Sequence, residues 1–172
     1  MSRLPFRLID HRFSKDPKAY FIQPLIAVAA VIVILSFVTF LTHAVLVAVL
    51  GASSFIVFVM PRAPVAETRR LIGGHVIGVA IGLACYYLFL TGPIGRIAQE
   101  EGWVKMVAAG VSIGLAVFLM PLFDAEHPPA AGTALGLVAG PWSYGTILFI
   151  LGFAVSLALV RKILLRYLKD LV

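Results

Sequence analysis

HPPAAGTALG, residues 127–136, lies between two long apolar segments and carries no charge after its histidine. Proline suits the first turn of a helix, where its missing N–H would have had no partner. The stretch therefore predicts a helix with His127 as N-cap and Pro128 and Pro129 in the first turn. A helix start carries roughly half a positive charge, and its free N–H groups can hold an anion. The alternative interpretation is that the stretch only ends a loop and packs a helix.

The composition is that of a membrane protein. The 172 residues are 61% hydrophobic and 13% charged, with a mean hydropathy of +1.03, whereas soluble domains have about 25% charged residues. This predicts an all-α, polytopic membrane protein with about six segments, because each crossing uses about 20 residues. The net charge of +6 lies mostly at segment ends and in loops, which indicates topology and not nucleic-acid binding. Cys85 is the single cysteine, so a disulfide within the chain is excluded.

The segments divide the chain into a basic N-terminal stretch (1–18), one transmembrane domain (19–160) and a basic tail (161–172). The tail is expected to extend the last helix into the membrane interface. Two of the predicted segments, 44–60 and 128–140, are short, and each either crosses or re-enters the membrane. The first of them is interrupted by Gly51-Ala52-Ser53-Ser54. Residues 91–102 are expected to form a loop. The predicted segments are 20–41, 44–60, 71–90, 103–122, 128–140 and 143–160.

The order long, short, long occurs in each half, which predicts a 3+3 inverted repeat with the short segments near its centre. Lys and Arg number 5 before the first segment, 3 over 62–70, 2 over 96–105, 0 over 124–127 and 4 in the tail. The positive-inside rule then predicts cytoplasmic termini, in a bacterial inner membrane. No cleaved signal peptide is expected, because no short apolar core with a cleavage site follows the basic start.

Glycines recur at every fourth residue in three segments, a spacing that lets helices approach closely. His75 lies beside one of these ridges, and it is either a structural histidine or one that lines a pore or handles protons. The ridges are Gly74, Gly78 and Gly82; Gly110 and Gly114; and Gly132, Gly136 and Gly140.

Three motifs in order resemble the HPP family of integral membrane proteins. They are Gly51-Ala52-Ser53, then Leu71-Ile72-Gly73-Gly74-His75 after a Pro-rich loop, then His127-Pro128-Pro129 followed by small residues. The family is named for this tripeptide, and plant plastid and cyanobacterial members are associated with nitrite transport. The resemblance implies a role in the permeation of a small anion.

The first functional hypothesis is a channel or secondary transporter for a small inorganic anion, above all nitrite. Arginines would attract the anion, hydroxyl groups would replace its water, and a histidine would supply charge or a proton. Asp124 and Glu126 count against a simple anion funnel; they indicate a proton-coupled step, a pair with a nearby arginine, or a gate. The predicted substrate path comprises Gly51, Ser53, Ser54, Arg69, Arg70, His75, His127, Pro128, Pro129, Gly132 and Thr133.

Two other hypotheses come from different classes. A membrane packing or assembly protein would use the glycine ridges alone. A metalloenzyme would use His75, His127, Asp124 and Glu126, but neither histidine belongs to a local ligand pattern. We expect no enzyme activity, no cofactor and no metal; the expected partners are the lipid bilayer, a small anion and further copies of the chain.

Overall fold

The computed structural model describes residues 16–19, 21–23, 25, 26, 28 and 44–172, and the regular elements within these ranges are all helical. This confirms the prediction of a helical membrane protein. The predicted segment 20–41 and the basic N-terminal stretch lie almost wholly outside the described residues. The elements are α1 (Ala44–Val59), a 3₁₀ turn (Pro64–Ala66), α2 (Thr68–Leu90), α3 (Gly92–Glu100), α4 (Gly102–Leu122), α5 (Pro128–Ala139) and α6 (Tyr144–Leu164).

Three described helices, α2, α4 and α6, are long and apolar enough to cross a membrane. The helices α1 and α5 have 16 and 12 residues and correspond to the two short segments. α5 begins after the charged link 124–127, which lies beside the start of α2. Trp142, just beyond the end of α5, packs on Tyr86 near the end of α2. α5 therefore runs from one end of the bundle toward the other and does not turn back.

The glycine ridge of α2 packs against α5, and the two helices run parallel. A Cβ at Gly78 would overlap the carbonyl oxygen of Ala130, and one at Gly82 would lie 2.9 Å from the Cβ of Leu137. Only glycine permits backbones this close, as the glycine at every fourth residue predicted. The contacts follow both helices in order: Gly74 with His127, Gly78 with Ala130, and Gly82 with Leu137.

The glycines of α5 face a different neighbour, the antiparallel helix α1. A Cβ at Gly132 would lie 2.5 Å from Val49, and one at Gly136 would lie 2.6 Å from Leu46. The two short helices thus pack directly on each other. Their opposed directions are those that an inverted repeat requires; the repeat itself stays a prediction.

The glycines of α4 do not form a packing ridge within the described residues of the chain. A Cβ at Gly110 or Gly114 would meet nothing within 4 Å in the part of the chain that the structure describes. The buried face of α4 is instead formed by Ala108, Ser112 and Ala116. Positions two residues apart lie on nearly opposite sides of a helix, so burying one set turns the glycines outward.

The expected loop at 91–102 is largely helical, which corrects that expectation. Gly92 has a φ of 62°, a left-handed conformation that glycine adopts without strain, and it turns the chain after α2. Pro93 then occupies the first turn of α3, where proline favours a helix start.

The basic tail, 161–172, only begins by extending α6. Residues 161–164 continue the helix to Leu164 as expected, and residues 165–172 fold back onto the bundle. Leu168 is completely buried, the N–H of Leu171 donates to the carbonyl of Val59 over 2.8 Å, and the N–H of Lys169 donates to Gln23 Oε1 over 2.8 Å. These contacts join the tail to the end of α1 and to Gln23.

Replacing Leu168 with alanine should destabilise the protein by about 2–5 kcal/mol, the usual cost of a buried leucine-to-alanine change. Leu159→Ala is the matched control, because Leu159 is 56% exposed on the outside of α6. Thermal unfolding in detergent measures both. Equal melting temperatures for the two variants would show that the tail is not docked.

Candidate functional site

Four polar side chains meet inside the bundle at the junction of α1, α2 and α5. Ser53, His75, His127 and Thr133 are all completely buried. His75 lies about two helical turns, roughly 10 Å, along α2. Polar groups at this depth in a membrane helix need hydrogen-bond partners within the protein. Ionisable groups there are often functional. We call these four side chains the polar cluster.

The polar cluster is a continuous chain of hydrogen bonds. Ser53 Oγ lies 2.9 Å from His127 Nε2 and 3.2 Å from His75 Nε2, so the serine connects the two rings. His75 Nδ1 lies 2.9 Å from Thr133 Oγ1, and His127 Nδ1 lies 2.8 Å from the carbonyl oxygen of Val65. Every ring nitrogen of the pair therefore has a partner.

The partners determine the direction of these bonds when both rings are neutral. A carbonyl oxygen can only accept, so His127 Nδ1 donates to Val65 and its Nε2 accepts from Ser53. Ser53 Oγ then accepts from His75 Nε2, and His75 Nδ1 accepts from the hydroxyl of Thr133. Donation thus runs in one direction, from Thr133 at one end of the chain to Val65 at the other.

Small residues bring the polar cluster together. His127 is the N-cap of α5 with an extended backbone, φ −133° and ψ 94°. Its Cβ would be only 2.7 Å from a Cβ at Gly74, and a Cβ at Gly132 would lie 2.5 Å from Val49. The contact of α5 with both helices places Ser53 of α1 against the histidines.

The first N–H group of α5 is not free to hold an anion. Pro128 and Pro129 have no N–H, and the N–H of Ala130 donates to the carbonyl of His127 over 2.8 Å. The expected donors were the N–H groups of Ala130, Ala131 and Gly132. The N–H of Ala130 does point toward His127, but it is bonded to the His127 carbonyl and is not free to hold an anion. The polar groups available here are the side chains of the polar cluster.

The two predicted arginines are paired with carboxylates. Arg69 lies 3.2 Å from Asp124, while Arg70 contacts Asp124 and lies 3.2 Å from Glu126. Asp124 has a φ of 51°, which Asp tolerates better than most residues, and this tight turn directs its carboxylate toward both arginines. The expected basic entrance is thus charge-balanced, and the pairing is one of the three alternatives for Asp124 and Glu126.

Acid should weaken this pairing. The pKa of Asp124 is lowered because Arg70 donates a hydrogen bond to it, and the positive charges of Arg70 and Arg69 add to the effect. The stabilisation is present above the ordinary aspartate pKa and is lost as the pH falls through the lowered folded-state pKa.

Asp124→Asn should lower the melting temperature at neutral pH by about 1–2 °C, because exposed pairs contribute little. The variant should also lose less stability than the wild type on acidification. Thermal unfolding from pH 7 to pH 3 measures this, with Glu101→Gln at the other end of the bundle as control. An identical acid response of Asp124→Asn and wild type would contradict the interpretation.

The other predicted path residues lie outside the polar cluster. Ser54 Oγ donates to Leu50 O of its own helix over 2.9 Å, and Gly51 is exposed. The carbonyl of Val65 is the group that sequence reasoning missed, because a backbone acceptor has no residue-type signal. Among the described residues, no three His, Cys, Asp or Glu side chains are grouped so that they could hold a metal ion.

Fold and polar cluster together define a polytopic helical membrane protein with a buried, hydrogen-bonding site. The sequence matches the family described as HPP, transmembrane region, over residues 14–170. The chain belongs to this family, as the resemblance of its three motifs predicted.

Two curated transmembrane proteins of Dictyostelium discoideum are similar to segments of the chain. One is 34% identical over 97 residues, covering 56% of this chain and 30% of the relative. The other is 29% identical over 85 residues, covering 49% and 24%. The chain thus spans less than a third of the length of either relative. No solved structure matches the chain at a significant level.

Proposed function

We propose that this protein is a channel or secondary transporter for a small inorganic anion, with nitrite as the first candidate. The observation that carries the proposal is the polar cluster, a group of completely buried hydrogen-bonding side chains without a permanently charged member, in an apolar helical bundle. Buried polar groups in membrane proteins commonly mark substrate pathways. Membership of the HPP family supports the same conclusion.

The polar cluster has suitable chemistry for a small, weakly held anion. Nitrite accepts hydrogen bonds through its oxygens, and the hydroxyls of Ser53 and Thr133 and the ring N–H groups can replace its water. Sites that conduct must bind strongly enough to admit the ion and weakly enough to release it. A cluster without a permanent positive charge meets both requirements.

The described conformation is closed at this site, because the polar cluster bonds to itself. An anion would enter by replacing the hydrogen bonds of Ser53 with the two histidines. These bonds connect α1 to α2 and to the start of α5. The ion pairs of Arg69 and Arg70 with Asp124 lie just outside. We propose that they act as a gate, since an incoming anion would compete with Asp124 for the arginines.

We further propose a bacterial inner membrane, with both termini in the cytoplasm, and a homo-oligomer without enzyme activity or a cofactor. One end of the bundle contains Arg62, which donates to Asp170, and Lys169, which pairs with Asp16. Regions with 3 and 4 basic residues therefore share that end, while Arg96 in α3 and Lys105 in the first turn of α4 lie at the other. The positive-inside rule then assigns the more basic end to the cytoplasm.

The packing or assembly alternative loses its main support. The ridges on α2 and α5 pack against helices of the same chain, so they account for the fold without a partner. They leave the completely buried histidines unexplained.

Flux in liposomes tests the proposal. Purified protein should raise the uptake of nitrite above that of protein-free liposomes, with nitrate, formate and chloride measured in parallel. Uptake is followed at neutral pH, where little nitrite exists as membrane-permeant nitrous acid. No flux of any of these anions above the protein-free background would overturn the proposed function.

A further inference from the structure

We propose that the polar cluster takes up one proton with each anion, so that the protein is a proton–anion symporter, and that His127 holds the proton. This inference rests on the proposed function and specifies its energy source. It is carried by the geometry of the hydrogen-bond chain from Thr133 to Val65.

The hydrogen-bond chain can accept one proton without losing a bond. A proton that reaches the hydroxyl oxygen of Thr133 displaces the hydroxyl proton onto His75 Nδ1. His75 then releases its Nε2 proton to Ser53 Oγ, and Ser53 releases its own to His127 Nε2. One proton has entered, each bond broken is matched by one formed, and His127 has become an imidazolium.

The protonated state satisfies the same four contacts, three of them with reversed direction. His127 Nε2 now donates to Ser53, Ser53 donates to His75 Nε2, and His75 Nδ1 donates to Thr133. The hydroxyl groups allow this reversal because each can either donate or accept. The bond from His127 Nδ1 to the carbonyl of Val65 is unchanged in both states.

His127 is the end of the proton path because the carbonyl of Val65 can accept a hydrogen bond but not a proton under ordinary conditions. His75 lies between two hydroxyl groups and can pass a proton in either direction. The imidazolium at His127 keeps a carbonyl partner on one nitrogen and the oxygen of Ser53 on the other. The geometry therefore separates a relaying histidine from a holding histidine.

Charge balance couples this proton to an anion. A lone imidazolium buried among apolar helices is costly, and so is a lone anion in the same place. Together they form a neutral pair within the polar cluster. The neutral network does not stabilise a bare anion, and the protonated network carries a charge that the anion neutralises. The proton and the anion should therefore enter and leave together.

The charged groups around the polar cluster are consistent with this requirement. α1, the 3₁₀ turn and α5 contribute no ionisable side chain within their bounds. The link before α5 contributes Asp124 and Glu126, and these are paired with arginines of α2. The remaining ionisable groups on the packed elements are Glu67 before α2, Cys85, Tyr86 and Tyr87 on α2, Lys105 on α4, and Tyr144, Arg161 and Lys162 on α6.

The experiment measures nitrite uptake and internal pH together in liposomes whose membrane potential is clamped with potassium and valinomycin. One-to-one symport predicts uptake driven by an external acid gradient, internal acidification in step with nitrite, and no response to the potential. Uptake that follows the potential and ignores the pH gradient would overturn the symport while leaving anion transport intact. No protein-dependent uptake of any anion would overturn the proposed function as well.

Ser53→Ala interrupts the proton path between the two rings and should reduce acid-driven uptake by about tenfold or more. Ser112→Ala is the matched control: Ser112 is also completely buried, and its hydroxyl donates to Ala109 O of its own helix. It should transport like the wild type. The elution volume on size exclusion and the melting temperature show whether both variants are folded. Ser53→Ala with wild-type proton–nitrite coupling would overturn the proposal.

Discussion

Gly78→Leu is expected to abolish the folded protein, whereas Gly114→Leu should fold normally. A Cβ at Gly78 would overlap the carbonyl oxygen of Ala130, a backbone atom that cannot rotate away, while a Cβ at Gly114 would meet no described residue within 4 Å. Overpacking by a few atoms already costs about 1–3 kcal/mol. A whole leucine would separate α2 from α5 along their length.

The measurement is the fraction of monodisperse protein on size exclusion in detergent, with the melting temperature of whatever remains. Gly78→Ala adds only one methyl group, so this variant should fold with a melting temperature below that of the wild type. The two leucine variants add the same side chain to helices of similar length, so hydrophobicity and expression are matched. A monodisperse Gly78→Leu protein with wild-type stability would show that α2 and α5 do not pack as described.

Residue spacing predicted the architecture well where a single physical requirement decides it. A membrane crossing needs about 20 apolar residues, and close helix contact needs glycine every fourth position. Those rules located α2, α4 and α6, and they identified Gly74, Gly78 and Gly82 as a packing ridge.

The same spacing rule fails for α4, because periodicity does not say which side of a helix faces inward. Gly110 and Gly114 follow the pattern as well as the ridge of α2 does, yet they face outward. Ala108 and Ser112, on the opposite side, are the residues that pack. Orientation depends on what the neighbouring helices present, and that information is not local.

The candidate site shows a similar division between residue type and arrangement. His75, His127, Ser53 and Thr133 could each be selected as polar residues in apolar segments. Their connection through one serine, and the role of the Val65 carbonyl, depend on how α1 crosses α5. The arginines were selected for their charge, but Asp124 and Glu126 balance that charge in space.

The tripeptide after which the family is named acquires a physical role from these contacts. Its prolines begin α5 without N–H groups that would need partners inside the membrane. Its histidine occupies the extended N-cap position, so the ring projects past Gly74 to Val65 and Ser53. The prolines therefore position a histidine, and they do not themselves present an anion with donors.

His127→Asn should reduce acid-driven nitrite uptake by about 100-fold, the usual scale for losing a positioned proton-transfer group, with little loss of stability. The asparagine Nδ2 occupies nearly the position of the histidine Nδ1 and can still donate to Val65 O. Ser53 can then donate to His75 Nε2, and His75 Nδ1 can donate to Thr133, so the remaining network stays satisfied in its reversed direction. What the variant lacks is a group that binds the proton.

His127→Ala separates the structural component of this effect. It leaves the carbonyl of Val65 without its donor, a loss of about 1–3 kcal/mol, so its melting temperature should fall below those of wild type and His127→Asn. Both variants should fail to couple nitrite to the acid gradient. Wild-type transport by His127→Asn would show that the ring serves only to hold α5 against the 3₁₀ turn. Equal stability of all three proteins would instead mean that His127 does not bond to Val65. Measured together, uptake and melting temperature therefore distinguish a histidine that carries a proton from one that only packs a helix.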